Sequence, residues 1–414
     1  MGLTLAEKII SRKIGRAPSP GEIVVLPIDA AMAHDGTAPL MIKSFEEMGA
    51  KSVWDREKAV FVIDHISPSS NEGSSALHKM MREFAKRHGM TIYDVGEGIC
   101  HQLLPEKGYT FPGGVVVGAD SHTCTHGAFA AFATGIGSTD MAAVFASGKL
   151  WFRVPETLRV NLTGSFKPSV MSKDAILYAI REVGADGATY KAVEFTGDTV
   201  RKMSMDSRMT MTNMAVEMGG KTGLIGSDGV TREFLEGRSR QPFIELSGDG
   251  DAHYSDTLEV EAEKLEPMIA CPHTVDNVRS VSELEGLAVD QVFIGSCTNG
   301  RLEDMRIAAS VMRGKRVRSR TIIMPASREI LMKAIGEGII ETLLASGCAV
   351  GVPGCGPCVG GHHGVPAAGE VVVSTTNRNF KGRMGCADSD VYLTSSLTAA
   401  YTALNGKLTV PRGI

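Results

Sequence analysis

Short apolar runs, each halted by a small or polar turn, constrain this chain more than any other feature. Val60-Phe61-Val62-Ile63 runs into Asp64-His65, and Val115-Val116-Val117 into Gly118-Ala119-Asp120-Ser121-His122-Thr123. Val292-Phe293-Ile294 runs into Gly295-Ser296-Cys297, and Ala349-Val350 leads toward Cys355 and Cys358. Val371-Val372-Val373 ends in Ser374-Thr375-Thr376-Asn377-Arg378-Asn379. Continuous runs of this kind read as strands buried on both faces. Helical patterns lie between them, at 74–88 and 139–152. Buried strands alternating with helices predict an α/β fold with largely parallel sheets. In such sheets the loops beyond the strands' carboxyl ends build the site. Five turns therefore bring His, Asp, Cys, Asn and Arg toward one cleft.

A chain of 414 residues has room for two to three domains. Pro155 marks one break, and Thr157 to Thr163 alternates like a half-exposed strand. The acidic stretch Ser247–Asp251 and the interval Pro267–Pro272 mark the next. The expected units are 1–156, 157–270 and 271–414. Thr4-Leu5-Ala6-Glu7 has the pattern of a capping box, which predicts a first helix. With 43 basic against 47 acidic residues, the balance points to no nucleic acid and no membrane surface. The basic run Arg313–Arg320 reads as a solvated helix end. No run approaches 18 apolar residues, and the charged first sixteen positions lack the apolar centre of a signal peptide. Eight cysteines in a chain this long are no disulfide scaffold and favour a reducing compartment, the cytoplasm.

Three of those cysteines, Cys297, Cys355 and Cys358, sit in glycine-rich turns, and no fourth of matching quality accompanies them. Three thiolates can hold an iron–sulfur cluster with one iron left open, and an open iron is a Lewis acid suited to elimination or hydration. Two other readings stay open on the residues alone. Cys355-Gly356-Pro357-Cys358 has the spacing of a thiol–disulfide oxidoreductase. A structural zinc could recruit Cys348, Cys386, His362 or His363. Asp64-His65 and Asp120-Ser121-His122 are the acid–base candidates, because a carboxylate beside an imidazole fixes its tautomer and raises its basicity. Asn213 and Glu217 share one helix face at i, i+4, a spacing that by itself reads as a solvated face. Arg378 and Arg383 offer two planar forks suited to a small di- or tricarboxylate. Gly220-Lys221-Thr222 and Gly135-Ile136-Gly137 lack the glycines that nucleotide-binding loops need.

Four motifs in this order, Gly118-Ala-Asp-Ser-His-Thr, Gly295-Ser-Cys-Thr-Asn-Gly-Arg, Gly354-Cys-Gly-Pro-Cys and Asn377-Arg-Asn-Phe-Lys-Gly-Arg, resemble the aconitase superfamily. Within it the chain is most similar to large subunits of the 3-isopropylmalate dehydratase and homoaconitase type, from about residue 5 onward. The resemblance implies three α/β/α domains around a central cluster cleft, without the swivelling fourth domain of full-length aconitases. It implies that Cys297, Cys355 and Cys358 carry a 4Fe–4S cluster whose fourth iron binds substrate. By the same resemblance, Asp64 and His65 help the hydroxyl leave, and Asp120, His122 and Glu217 hydrogen-bond it. Asn213 and Asn377 line the pocket, and Arg378 and Arg383 hold substrate carboxylates. His34 stands where aconitases place a substrate-contacting glutamine, so no role is carried over to it. A separate small subunit is expected to bring the serine that takes the carbon-bound proton. The activity implied is a hydro-lyase isomerising a 2-hydroxy acid, with 2-isopropylmalate first and homocitrate or 2,3-dimethylmalate as alternatives.

Overall fold

In the computed structural model, which describes residues 2–413, the apolar runs are strands and every one of them pairs in parallel. Five parallel strands form the first sheet, in the order Thr91–Tyr93, Ala59–Val62, Ala30–His34, Val115–Gly118, Phe132–Gly135. A four-stranded parallel sheet follows, ordered Thr222–Ile225, Ala192–Thr196, Thr157–Thr163, Asp256–Glu261. The third sheet has five parallel strands, Asp390–Leu393, Val371–Ser374, Gln291–Ile294, Arg320–Ile323 and Ala349–Val350. Met268–Ala270 and Val278–Ser280 extend it antiparallel at one edge. The fold is α/β, and its central strands are apolar throughout because helices cover both faces.

Local chemistry sets the element ends. Glu7 N–H donates to Thr4 Oγ1 at 3.3 Å and Thr4 N–H to Glu7 Oε2 at 2.8 Å, so helix Leu5–Ile14 opens with the expected capping box. The helix expected over 74–88 spans Glu72–His88, with Asn71 Oδ1 accepting from Ser74 N–H at 2.9 Å. The helix expected over 139–152 is shorter. It covers Ser138–Ser147 and stops at Gly148 in the left-handed region, and Lys149–Arg153 becomes a strand antiparallel to Ile23–Pro27. Lys149, Trp151 and Arg153 face outward from that ribbon while Phe152 is buried, a period of two that the longer helical pattern masked. The basic run from Arg313 is an exposed turn after helix Leu302–Met312, and it ends in strand Arg320–Ile323.

The tightest seam joins the turn after Val115–Gly118 to the second sheet. The 3-10 stretch Ser121–Phe129 lies so close to strand Thr222–Ile225 that a Cβ on Gly127 would stand 1.6 Å from the Gly223 carbonyl oxygen. Backbone meets backbone there, and neither can give way. Gly127→Ala is expected to lower stability by about 1–3 kcal/mol or more. Denaturant unfolding of the purified chain measures it, and an unchanged midpoint would contradict the close approach.

Candidate active site

The first and third sheets send their strand-end turns to one place. Cys297 follows strand Gln291–Ile294 on the single helical turn Ser296–Asn299. Arg301, fully buried, donates to the carbonyls of Cys297 and Thr298 and to Gln102 Oε1, and so pins that turn. Cys355 precedes the 3-10 turn Gly356–Val359, and Cys358 lies within it. Gly356 has φ +59°, and a Cβ there would stand 2.2 Å from Met324 Sδ, so only glycine fits between the two cysteines. The Cys355 N–H donates to the Asp64 carbonyl at 2.9 Å and ties this turn to the first sheet. All three thiols are buried and line one small cavity with His65, His101, Asp120, His122, Asn377 and Arg383.

The thiols suit a cluster better than the other two readings. Burial pushes Cys297 up to about 12 and also raises Cys355, with His65 pulling the latter back. A thioredoxin-type cysteine needs its pKa lowered at a helix start, which is the opposite arrangement. Zinc with bonds of about 2.3 Å would hold its sulfurs roughly 3.8 Å apart. Among the described residues, the group of three or more ligand atoms within 4.8 Å of one another is His34, Asp35, Asp64 and His65, not the thiol trio. His362 Nε2 donates to the His65 carbonyl at 2.9 Å, and Cys348 packs on Met312. Donors instead point at the sulfurs: Asn213 Nδ2 lies 3.2 Å and Asn377 Nδ2 3.4 Å from Cys297 Sγ, and Arg383 Nη2 3.6 Å from Cys358 Sγ. Such donors tune iron–sulfur centres. Orphaned polar atoms beside them, Asn377 Oδ1 and Arg383 Nε, leave further hydrogen-bonding capacity in the same cavity.

Three carboxylate–imidazole pairs border the thiols. His65 Nδ1 donates to Asp64 Oδ1 at 2.7 Å, His101 Nε2 to Asp120 Oδ1 at 2.8 Å, and His122 Nε2 to Glu217 Oε1 at 2.8 Å. Burial opposes charge on His65, yet Cys355, Asp64 and Asp120 together hold its imidazolium well above the ordinary range. Burial likewise opposes ionisation of Asp120, but His101, His122 and His34 keep it well below the usual carboxylate range. Glu217 is lowered against burial by His122 and Arg378.

Several expectations need revision. Asp120 does not orient the His122 ring, whose Nδ1 is 3.6 Å away; it accepts the His122 backbone N–H at 2.7 Å instead. Glu217 is what orients the imidazole. Asn213 and Glu217 are not a solvated face. Helix Met205–Asn213 ends at Asn213 and a 3-10 turn, Met214–Met218, carries Glu217 into the site, where Asn213 is buried and Glu217 half-buried. Arg378 turns its Nε edge onto both Glu217 oxygens, at 2.8 and 3.0 Å. Two site residues carry no sequence signal: His101 opens helix Cys100–Glu106 with no apolar run before it to mark a strand end, and Asp35 enters by accepting the backbone N–H of His65 and Ile66. His34 stacks on His65 with centroids 3.7 Å apart, accepts from Gly36 N–H at Nδ1, and sets Nε2 3.4 Å from Asp120.

Comparison with known proteins identifies the family. Residues 7–286 and 278–406 match the Aconitase family (aconitate hydratase). The 3-isopropylmalate dehydratase large subunit 1 of Methanopyrus kandleri is 52% identical over 415 residues, spanning 100% of this chain and 99% of that protein. A probable methanogen homoaconitase large subunit of Methanosarcina mazei is 53% identical over 388 residues, 94% of this chain and 99% of its own. The crystal structure of Thermococcus kodakaraensis aconitase X superposes with a TM-score of 0.51 at 13% identity, covering 91% of this chain and 90% of that one, and so shares the fold. A match over nearly the whole length, by sequence profile and by relatives at about half identity, makes this chain a member of the aconitase family.

Proposed function

We propose that this chain is the large, iron–sulfur subunit of a 3-isopropylmalate dehydratase, a hydro-lyase that interconverts 2-isopropylmalate and 3-isopropylmalate through 2-isopropylmaleate in leucine biosynthesis. The observation that carries the chemistry is the convergence of three carboxylate–imidazole pairs on three buried thiols. The substrate rests on relatives at 46–52% identity over essentially full length that bear this name. Homoaconitase is the second reading, because relatives of equal similarity carry that name.

Family membership implies a 4Fe–4S cluster, and Cys297, Cys355 and Cys358 are the residues that would hold it. When bound, the cluster supplies one iron without a cysteine ligand, a Lewis acid that polarises the substrate hydroxyl. The remaining work falls to the protein. His65, charged and held at Nδ1 by Asp64, presents Nε2 as the proton donor that lets the hydroxyl leave as water. Asp120 with His101, and His122 with Glu217, hydrogen-bond that oxygen and hold the released water for readdition to the neighbouring carbon. Arg383, and the outer edge of Arg378 left over by Glu217, bind carboxylates. The relatives' designation as large subunits implies a small-subunit partner. That partner would close the cleft and bring the serine that takes the carbon-bound proton, so the large subunit alone is expected to be nearly inactive. Eight unpaired cysteines suit a reducing, cytoplasmic setting, and no described helix is long and apolar enough to cross a membrane.

The deciding experiment reconstitutes the cluster anaerobically, adds the small subunit and compares 2-isopropylmalate, homocitrate and 2,3-dimethylmalate. A preference for homocitrate would reassign the substrate, and a colourless protein without sulfide would overturn the reading. Cys297→Ser is expected to abolish turnover and leave the circular dichroism of the fold unchanged; full activity would remove the residue from the ligand set. Arg383→Lys loses the planar fork and is expected to raise KM about tenfold. Steady-state kinetics check this, and unchanged KM and kcat would take Arg383 out of the site.

A further inference from the structure

We propose that Lys173 is a positioning residue for this site: its side-chain nitrogen clamps the carbonyls of Thr375 and Thr376, so that Asn377 faces the cavity and Arg378 reaches Glu217. The inference rests on the functional reading above and extends it to a residue outside the four motifs.

Lys173 lies in the first turn of helix Ser172–Val183 and is 0% exposed. Its Nζ donates to the Thr375 carbonyl at 3.0 Å and to the Thr376 carbonyl at 2.6 Å, about two hundred positions away in the third sheet's strand-end turn. No carboxylate among the described residues comes within the 4.0 Å salt-bridge distance of it. A buried ammonium without a direct counter-ion is costly. An apolar side chain of equal length would fill the same space without that cost, so packing alone does not account for a lysine here.

The geometry of the turn supplies an account. Strand Val371–Ser374 ends one residue before the first clamped carbonyl. In a trans peptide the C=O and N–H point opposite ways, so fixing two successive carbonyls fixes the direction in which the next residues leave. The next residue is Asn377, whose Nδ2 reaches Cys297 Sγ at 3.4 Å and Thr298 Oγ1 at 3.0 Å. After it comes Arg378, seated on Glu217. Thr375 Oγ1 accepts from Gly295 N–H at 3.0 Å, which couples the same turn to the Cys297 turn. Burial drags the ammonium down to about 7, and the negative charges of Asp304, Asp174, Cys297 and Cys358 pull it back.

The test uses the reconstituted heteromer carrying Lys173→Met or Lys173→Gln. Lys173→Met removes the clamp. It is expected to raise KM for 2-isopropylmalate about tenfold, with a smaller fall in kcat. Release of the Asn377 amide from Cys297 Sγ is also expected to shift the cluster midpoint potential, followed by electron paramagnetic resonance, to more negative values. Lys173→Gln keeps one donor for a carbonyl, so KM and the potential both recover in part. A folded Lys173→Met enzyme with wild-type KM and wild-type potential overturns the proposal. So does the failure of both variants to fold, because the lysine is then a prop of the fold alone. A wild-type heteromer that turns over none of the hydroxy acids defeats the functional reading instead, and the potentials still decide the role of Lys173.

Discussion

Removing charge from water is the constraint that governs this structure. A carboxylate or imidazolium inside a protein is tolerated only when partners a few ångströms away replace its hydration. The site gathers Asp35, Asp64, Asp120 and Glu217 with His34, His65, His101 and His122, and with little solvent. Each carboxylate is answered twice or more. Asp64 takes the His65 ring on one oxygen and the Cys100 N–H on the other, and Asp35 takes backbone N–H groups and the His78 ring. Such a network is stable when complete and fragile when one member is lost.

The same constraint explains what could be read from the residues in order. The buried strands were legible because each is a continuous apolar run, and the reactive turns because they interrupt those runs. His101 was not legible, since it follows a glycine-rich loop rather than a strand and owes its place to Asp120, nineteen positions later. Lys149–Arg153 was hidden because its apolar positions continue a helical pattern up to a glycine that ends the helix. Asn213 and Glu217 gave a helical spacing, but the chain changes from α to 3-10 between them, and no propensity marks that change. Periodicity reports which side of an element is apolar. It does not report which polar side chain a distant segment will meet.

The site is also assembled across sheets. Asp64, His65 and Asp120 come from the first, Asn213 and Glu217 from the segment between strands of the second, and the cysteines, Asn377 and the arginines from the third. No sheet holds a working set by itself. Close backbone approaches, such as Gly127 on Gly223, are therefore part of the chemistry as well as of the fold, because they set the distances between groups that share no strand.

Cys297 Sγ receives one amide hydrogen from Asn213 and one from Asn377, and these belong to segments joined to different sheets. Sulfur accepts hydrogen bonds far better as an anion than as a neutral thiol. A metal held by Cys297 would make that sulfur a thiolate and strengthen both bonds, so the same atom that grips the metal would rivet two halves of the molecule together.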